Sequence, residues 1–347
     1  MASKTYLVTG ACGFIGSNYC HYLLETDQDV RVVALDNFGF AANEANLDSI
    51  RDSIRVERGD IADFERMSEI YREHAPDCVV NFAAESHNDR AISEPSVFMR
   101  TNALGAQVML ECSRLFGVET HLHVSTIEVY GELPNSVAAF SEGSPLNAKT
   151  PYSSAKAAGD LMVRAYMHTY PELDVRMTHC ANNYGPYQFP EKLIPLMITN
   201  VVRGRKVPVY GDGLQRRDWL HVVDHCHAIQ MVLRAERSPI PAGAATDASL
   251  LPIYDVSARN EVSNLEVIDI VLDELGQEPS DAIEYVRDRP NHDRRYLIDP
   301  RKIETELGWA PTVPFESGLR ETVQWYLRNR SWWEAILART GDLEVHW

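Results

Sequence analysis

Lysine is scarce in this 347-residue chain: six residues, at positions 4, 149, 156, 192, 206 and 302. Basic residues of both kinds total 33 against 50 acidic ones, a formal charge of −17. So acidic a chain repels polyphosphate backbones and anionic bilayers, which argues against nucleic-acid or membrane-surface binding. Any small anionic ligand must be held by local arginines. Cysteine pairs at metal or redox spacing are also missing. The six cysteines (12, 20, 78, 112, 180, 226) are scattered, as expected of reduced, buried thiols. No apolar run approaches the roughly 18 residues that span a bilayer, and Met1-Ala-Ser-Lys4 leads straight into an apolar strand without a signal-peptide pattern. A cytoplasmic protein is the expectation. Internal repeats and long flexible linkers are absent too, and 45% hydrophobic with 24% charged residues is ordinary globular composition. The length suggests two domains, or one large domain with a subdomain.

What is present begins with a strand, a glycine turn and a helix. Thr5-Tyr-Leu-Val-Thr9 is followed by Gly10-Ala-Cys-Gly13-Phe14-Ile15-Gly16, and then by a helical stretch from Ser17 to Leu24. That order is the context a dinucleotide fingerprint requires, with GxxGxxG in place of GxGxxG. The glycines permit a tight turn, close approach of a pyrophosphate and close helix–strand packing, and the helix N-terminus offers free N–H groups. A second apolar run, Val30–Leu35, ends in Asp36-Asn37. A carboxylate there accepts hydrogen bonds from both ribose hydroxyls and repels a 2′-phosphate, which favours NAD over NADP. A third strand over 54–57 leads to Asp60-Ile61, a pair suited to an adenine edge. Strands over 78–82 and 121–125 alternate with helices over 98–116 and 149–170. Repeated βα units predict a doubly wound parallel α/β (Rossmann) sheet, whose ligands lie at the carboxyl ends of the strands. The glycine loop, Ala83, Ala84 and Thr126 then share one rim.

Tyr152 and Lys156 sit four residues apart at a helix start, so they share one face. An ammonium beside a phenol favours the phenolate, lowering a pKa that starts at about 10, and an oxidised nicotinamide would add positive charge nearby. The pair is a candidate base for a sugar hydroxyl, with Ser125-Thr126 supplying a hydroxyl that orients the substrate oxygen.

At this point a family resemblance emerges. TGACGFIG, NFAAESHNDRAI, STIEVYGE, PYSSAKAAGD, CANNYGPYQFPEKLIPL, DGLQRRDWLHVVDH, RPNHDRRYLIDPRKI and LGWAPTVPFESGLRETVQWY together resemble extended short-chain dehydrogenase/reductases acting on nucleotide sugars, specifically the dTDP-glucose 4,6-dehydratase family. The resemblance runs from about residue 4 to about residue 330. It implies a lyase with bound NAD. Tyr152, aided by Lys156 and Thr126, takes the C4 hydroxyl proton during C4 oxidation, and Glu128 takes the C5 proton. Water leaves across C5–C6, and internal hydride return yields a 4-keto-6-deoxy sugar. It also implies substrate contacts from Glu85, His87, Asn183, Glu191, Lys192, Leu193, Arg217, Asn260, His292 and Tyr296. It places the dinucleotide domain at 1–180 with a return segment near 216–258, and a smaller α/β nucleotide-sugar domain at 181–215 and 259–330. Residues 331–347, with Trp332, Trp333 and Trp347, form a tail beyond the family core. The helices over 98–116 and 149–170 are the candidates for a homodimer interface.

Three positions depart from the family pattern. Its Thr-Asp-Glu reads Thr126-Ile127-Glu128 here, so the acid that protonates the departing C6 hydroxyl is gone. A positioned general acid contributes roughly 10²–10⁴-fold. Glu128 or a water then supplies that proton; or the enzyme is an epimerase at C4 or C5; or the product is a 5,6-alkene; or the aspartate was engineered away. Asn88 replaces an apolar residue, and His179 stands where arginine is frequent; each is either variation behind the site or a changed sugar or proton path. A non-catalytic nucleotide-sugar sensor is a further alternative, disfavoured by the intact Thr126, Glu128, Tyr152 and Lys156. His221, His225, Cys226 and His227 cluster in sequence, but their spacing fits no closed tetrahedral site, and no metal is expected. Val207–Gly213 reads as a turn near the base.

Overall fold

The computed structural model describes residues 3–245, 247–288 and 292–341. Twelve strands are present among them: β1 (Lys4–Thr9), β2 (Val30–Asp36), β3 (Ile54–Arg58), β4 (Cys78–Asn81), β5 (Thr120–Thr126), β6 (Asp174–Cys180), β7 (Asn182–Tyr184), β8 (Val207–Tyr210), β9 (Arg216–His221), β10 (Ile253–Val256), β11 (Glu261–Ser263) and β12 (Ile283–Val286). Seven form one sheet in the order β10-β6-β5-β4-β1-β2-β3. Every pairing in it is parallel.

Side chains of a strand alternate between faces, and here both faces are buried. Tyr6, Val8, Val32, Ala34, Cys78 and Val80 enter the core beneath the helices Phe14–Thr26 and Val222–Arg234. Leu7, Val33, Leu35 and Val79 enter the opposite core, beneath Phe64–His74 and Ala106–Leu115. This near-continuous apolar character drives double winding. The strand order reverses between β1 and β4, and that switch point opens the crevice in which the site lies.

The smaller part holds a three-stranded sheet (β11-β9-β7) and the pair β12-β8. The helices Leu193–Val202, Asn264–Glu274 and Phe315–Arg328 pack there around Trp219, Ile198, Leu272 and Leu319. The turn expected over 207–213 begins only at Gly211: Val207–Tyr210 is a strand, because its alternate residues Val207 and Val209 bury against that core. The tail is likewise helical at Arg330–Thr340, with Trp333 1% exposed and the Trp332 Nε1 donating to Asn46 Oδ1 at 2.8 Å, so both aromatics pack on this chain's own body. Trp347 lies outside the described residues.

The helix expected over 98–116 contains a π-helical segment, Met99–Gly105. Close packing accompanies it. A Cβ on Gly159 would come within 2.4 Å of the Asn102 carbonyl oxygen, and one on Gly105 within 2.6 Å of Ile61. The widened turn points the Asn102 amide at Glu85, whose N–H and carbonyl it binds at 2.9 Å each. π-Bulges are frequent at functional sites for this kind of reason. Among the described residues no helix is long and apolar enough to cross a membrane.

Candidate active site

The crevice is a cavity of about 670 Å³. Its floor is the glycine loop. Gly10 has φ +63°, and a Cβ on Gly16 would stand 2.3 Å from the Gly10 carbonyl oxygen. A Cβ on Gly10 would meet the Ala83 nitrogen at 2.9 Å, so β1 and β4 can converge here only without side chains. Thr9 Oγ1 braces the junction, donating to Asn81 Oδ1 and accepting from the Ala83 N–H. Asp36 ends β2, where its carboxylate accepts the N–H groups of Cys12 (2.9 Å) and Phe38 (2.8 Å). Burial pushes its pKa up while those N–H groups pull it back. A backbone cradle that any Cβ would fill, beside a carboxylate at the end of β2, fits a dinucleotide. Phe14, Ile15, Asn37, Ile61, Ala83 and Ala84 line the same space.

Across the crevice, β5 delivers Thr126, whose Oγ1 accepts the Glu128 N–H at 3.3 Å and so starts the turn Ile127–Tyr130. The helix Pro151–Thr169 begins at a capping box between Thr150 and Ser153, which sets Tyr152 and Lys156 at the crevice wall. Lys156 is 3% exposed, and its Nζ donates to the Val124 carbonyl at 2.9 Å. Burial pulls the ammonium pKa down, opposed by Asp160.

Without a bound cofactor the site does not drive the Tyr152 phenol toward the phenolate. Burial, then the Glu128 charge, hold the Tyr152 phenol well above its ordinary range, and a hydrogen bond with Thr126 only partly offsets them. The Lys156 ammonium donates to the Val124 carbonyl beside it.

Glu128 is half-buried. Desolvation raises its pKa against the Asn88 hydrogen bond and the more distant Arg217 and Lys192. Asn88 Nδ2 donates to Glu128 Oε2 at 3.2 Å. Ile127 is 1% exposed and packs with Val129, Tyr130, Tyr296 and Ile298.

The family described as GDP-mannose 4,6 dehydratase matches residues 7–322. The chain belongs to this family. It is 45% identical over 336 residues to the dTDP-glucose 4,6-dehydratase of Streptomyces niveus, covering 95% of each chain. The solved structure of DesIV, a dTDP-glucose 4,6-dehydratase from Streptomyces venezuelae with NAD and TYD bound, is 44% identical, with a TM-score of 0.87 over 96% of this chain and 99% of that one. A UDP-glucose 4-epimerase from Thermotoga maritima, solved with UDP-glucose, is 26% identical with a TM-score of 0.83, covering 94% and 99%. The protein is therefore an extended short-chain dehydrogenase/reductase of the α/β class, a lyase resembling the dTDP-glucose 4,6-dehydratases and dependent on NAD.

Most residues expected of a dehydratase-family member line the crevice: Glu85, His87, Asn183, Glu191, Lys192, Leu193, Arg217, His292 and Tyr296 all do. His87 Nε2 lies 3.0 Å from Glu191 Oε2, and Arg90 pairs with Glu85 at 3.1 Å. Lys192 donates to the Ser86 carbonyl at 2.8 Å. Arg217, on β9, stacks 4.5 Å above the Tyr296 ring and donates to the Asp293 carbonyl. The His225 Nδ1 is engaged by Asn183 Oδ1 at 3.0 Å.

Two expected residues stand outside the lining. The Asn260 side chain donates to the Trp219 carbonyl at 3.2 Å, in the link between β9 and β11, and does not face the crevice. Asp60 is held by Arg100 and by the Ala62 N–H, which leaves Ile61 as the member of that pair at the cavity.

Sequence reasoning missed Asp160. It is fully buried, accepts from Ser125 Oγ at 2.8 Å and lies 3.2 Å from His179 Nε2. Its signal was available: Tyr152, Lys156 and Asp160 recur every four residues on one helix. Asp160 stands behind the crevice wall, whereas Phe40, Arg90 and Gln188 line the crevice and carried no such signal.

Proposed function

We propose that the protein acts on a nucleoside diphosphate hexose, with thymidine suggested by its relatives, converting it to the 4-keto-6-deoxy sugar. The observation that supports this most is the meeting of the glycine cradle, Thr126, Tyr152 and Glu128 in one cavity with Arg217. NAD would rest on Gly10, Gly13, Phe14, Ile15 and Gly16, with its ribose at Asp36 and with Asn37, Ile61, Ala83 and Ala84 alongside. When bound, it supplies the two-electron acceptor and donor, and a positive charge near Tyr152. Tyr152 then accepts the C4 hydroxyl proton, steered by Thr126 and backed by Lys156. Glu128 accepts the C5 proton once C4 is a ketone. Ile127 has no proton to give. The proton taken from C5 is accordingly handed by Glu128 to the C6 hydroxyl, the two leave as water, and C5 later takes back a proton that Glu128 has drawn from solvent. Arg217 offers a guanidinium to the diphosphate, flanked by Lys192 and His292, while Glu85, His87, Glu191, Asn183, Leu193 and Tyr296 border the sugar.

We assign the dinucleotide to 1–180 with the return near 216–258, apart from β9 at its start, which pairs with β7 and β11 in the smaller part, and the nucleotide sugar to 181–215 and 259–330. A homodimer is supported by exposed apolar residues on the helices over 95–115 and 151–169: Met99 (47%), Leu104 (49%) and Leu161 (58%). Six buried, unbridged cysteines suit the reducing cytoplasm.

A panel of nucleotide hexoses incubated with NAD-loaded enzyme and weighed by mass spectrometry tests the reading. Loss of one water is expected. The apolar burial of Ile127 favours one competing reading, epimerisation, which would return a product of unchanged mass and altered stereochemistry. Failure to alter or bind any member overturns the assignment.

A further inference from the structure

The helix Arg330–Thr340 carries two adjacent tryptophans that serve different parts of the molecule. Successive helical residues are turned by about 100° from one another. Trp333 is 1% exposed, lies in the core of the smaller part and donates its Nε1–H to the Tyr326 carbonyl at 2.9 Å. Trp332 reaches the dinucleotide part instead, where its Nε1–H donates to Asn46 Oδ1 at 2.8 Å.

Asn46 is 2% exposed, and its Nδ2 donates to the Cys12 carbonyl in the glycine loop at 3.0 Å. An indole N–H only donates and a carbonyl only accepts, so both contacts fix the amide the same way round. The Cys12 carbonyl also accepts the Asn43 N–H at 2.9 Å, and the Cys12 N–H donates to Asp36 at 2.9 Å. The peptide pinned in this way ends at Gly13, the N-cap of the helix Phe14–Thr26, whose free N–H groups suit a pyrophosphate. His21 on that helix reaches the Asn46 carbonyl through Nε2 at 2.8 Å. Between Asp36 and Asn46 the chain borders the cavity with Asn37, Gly39, Phe40, Ala41 and Ala42. The terminal helix holds this loop at a second point, where the exposed Arg339 donates from Nη2 to the Ala42 carbonyl at 2.9 Å.

We propose that Trp332 is a positioning residue for the dinucleotide: through Asn46 it holds the glycine-loop peptide and the 37–46 loop in place, so that the terminal helix governs how long NAD stays bound. Trp333 anchors the helix to one part of the molecule and Trp332 applies it to the other. The proposal rests on the placement of NAD at the glycine cradle.

Labelled NAD is loaded on the full chain, and its release into excess unlabelled NAD is followed by filtration. Trp332→Phe keeps an aromatic ring and loses the N–H, and should speed release about 5-fold, the worth of one hydrogen bond. Asn46→Leu loses both ends of the amide and should speed it about 25-fold. Adding Trp332→Phe to Asn46→Leu should speed release no further, because the indole acts through the amide; two independent structural effects would multiply. Arg339→Met, at an exposed position, should speed release about 2-fold. In cofactor-free Trp332→Phe, amide hydrogen exchange should quicken over 10–16 and 37–46 and stay unchanged in the core of the smaller part. General loosening would instead appear in that core, and would count against the proposal. Unchanged release in both Trp332→Phe and Arg339→Met, or multiplied effects in the double variant, overturns it. Gly16→Ala separates the two failures: if that variant keeps its label as the parent does, the cradle is not where NAD sits and the placement falls together with the proposal, whereas loss of label there with no effect at position 332 refutes the proposal alone.

Discussion

Restoring a proton donor at position 127 is the sharpest perturbation of the chemistry. Ile127 is 1% exposed and surrounded by Val129, Tyr130, Ala157, Tyr296 and Ile298. Ile127→Asp removes an apolar side chain whose burial is worth roughly 2–3 kcal/mol. It also leaves a carboxyl among apolar neighbours, at a further cost of about 1–3 kcal/mol when its hydrogen bonds are unmet. The same burial raises the pKa of the new carboxyl and keeps it protonated near neutrality, as a general acid should be. Stability should therefore fall by about 3–6 kcal/mol, within what a folded protein of roughly 5–15 kcal/mol tolerates only narrowly. Water loss should meanwhile accelerate, with a ceiling of roughly 10²–10⁴-fold. Ile127→Asn is the control, matching the size and the polarity without the proton. Single-turnover formation of the 4-keto product from dTDP-glucose, read alongside denaturant midpoints, separates the effects. The two variants should be similarly destabilised, and only the aspartate should speed elimination. Equal rates in two folded variants would refute the reasoning that position 127 lacks a needed acid.

Gly16→Ala should abolish retention of NAD while leaving most secondary structure intact, because its Cβ would sit 2.3 Å from the Gly10 carbonyl; cofactor absorbance after gel filtration checks this. His179 is completely buried between Asp160 and Asp255 and touches Tyr130. Burial alone would lower its pKa, but the two carboxylates win and raise it to about 9. A raised histidine stabilises the fold fully below its unfolded pKa of about 6.5 and loses that contribution as pH climbs through about 9. Denaturant stability should thus decline across that window by up to about 3 kcal/mol, and His179→Asn should flatten the decline. The 1%-exposed Asp224 accepts from the Thr312 N–H and hydroxyl and from the Val313 N–H at 2.7–3.0 Å. Asp224→Ala strands these donors and should cost about 3–5 kcal/mol in equilibrium unfolding. Glu128→Gln should allow C4 oxidation but stop water loss, visible as accumulated reduced-cofactor absorbance.

Local and periodic features were legible in the sequence. The glycine loop, Asp36, and the spacing of Tyr152 and Lys156 depend on neighbours within one turn or one strand, so the order of residues alone determined them. The same holds for the doubly wound sheet, because strands buried on both faces must be apolar along their whole length. Tertiary structure decided what distant segments do to one another. It turned Asn260 toward the Trp219 carbonyl and tied Asp60 to Arg100, contacts that span β9 to β11 in one case and forty residues in the other. It raised the Tyr152 phenol, since burial and the Glu128 carboxylate act through space and leave no mark in a YxxxK motif. It also joined Asn88 to Glu128 across forty residues, giving an unusual residue a partner that no periodicity could name.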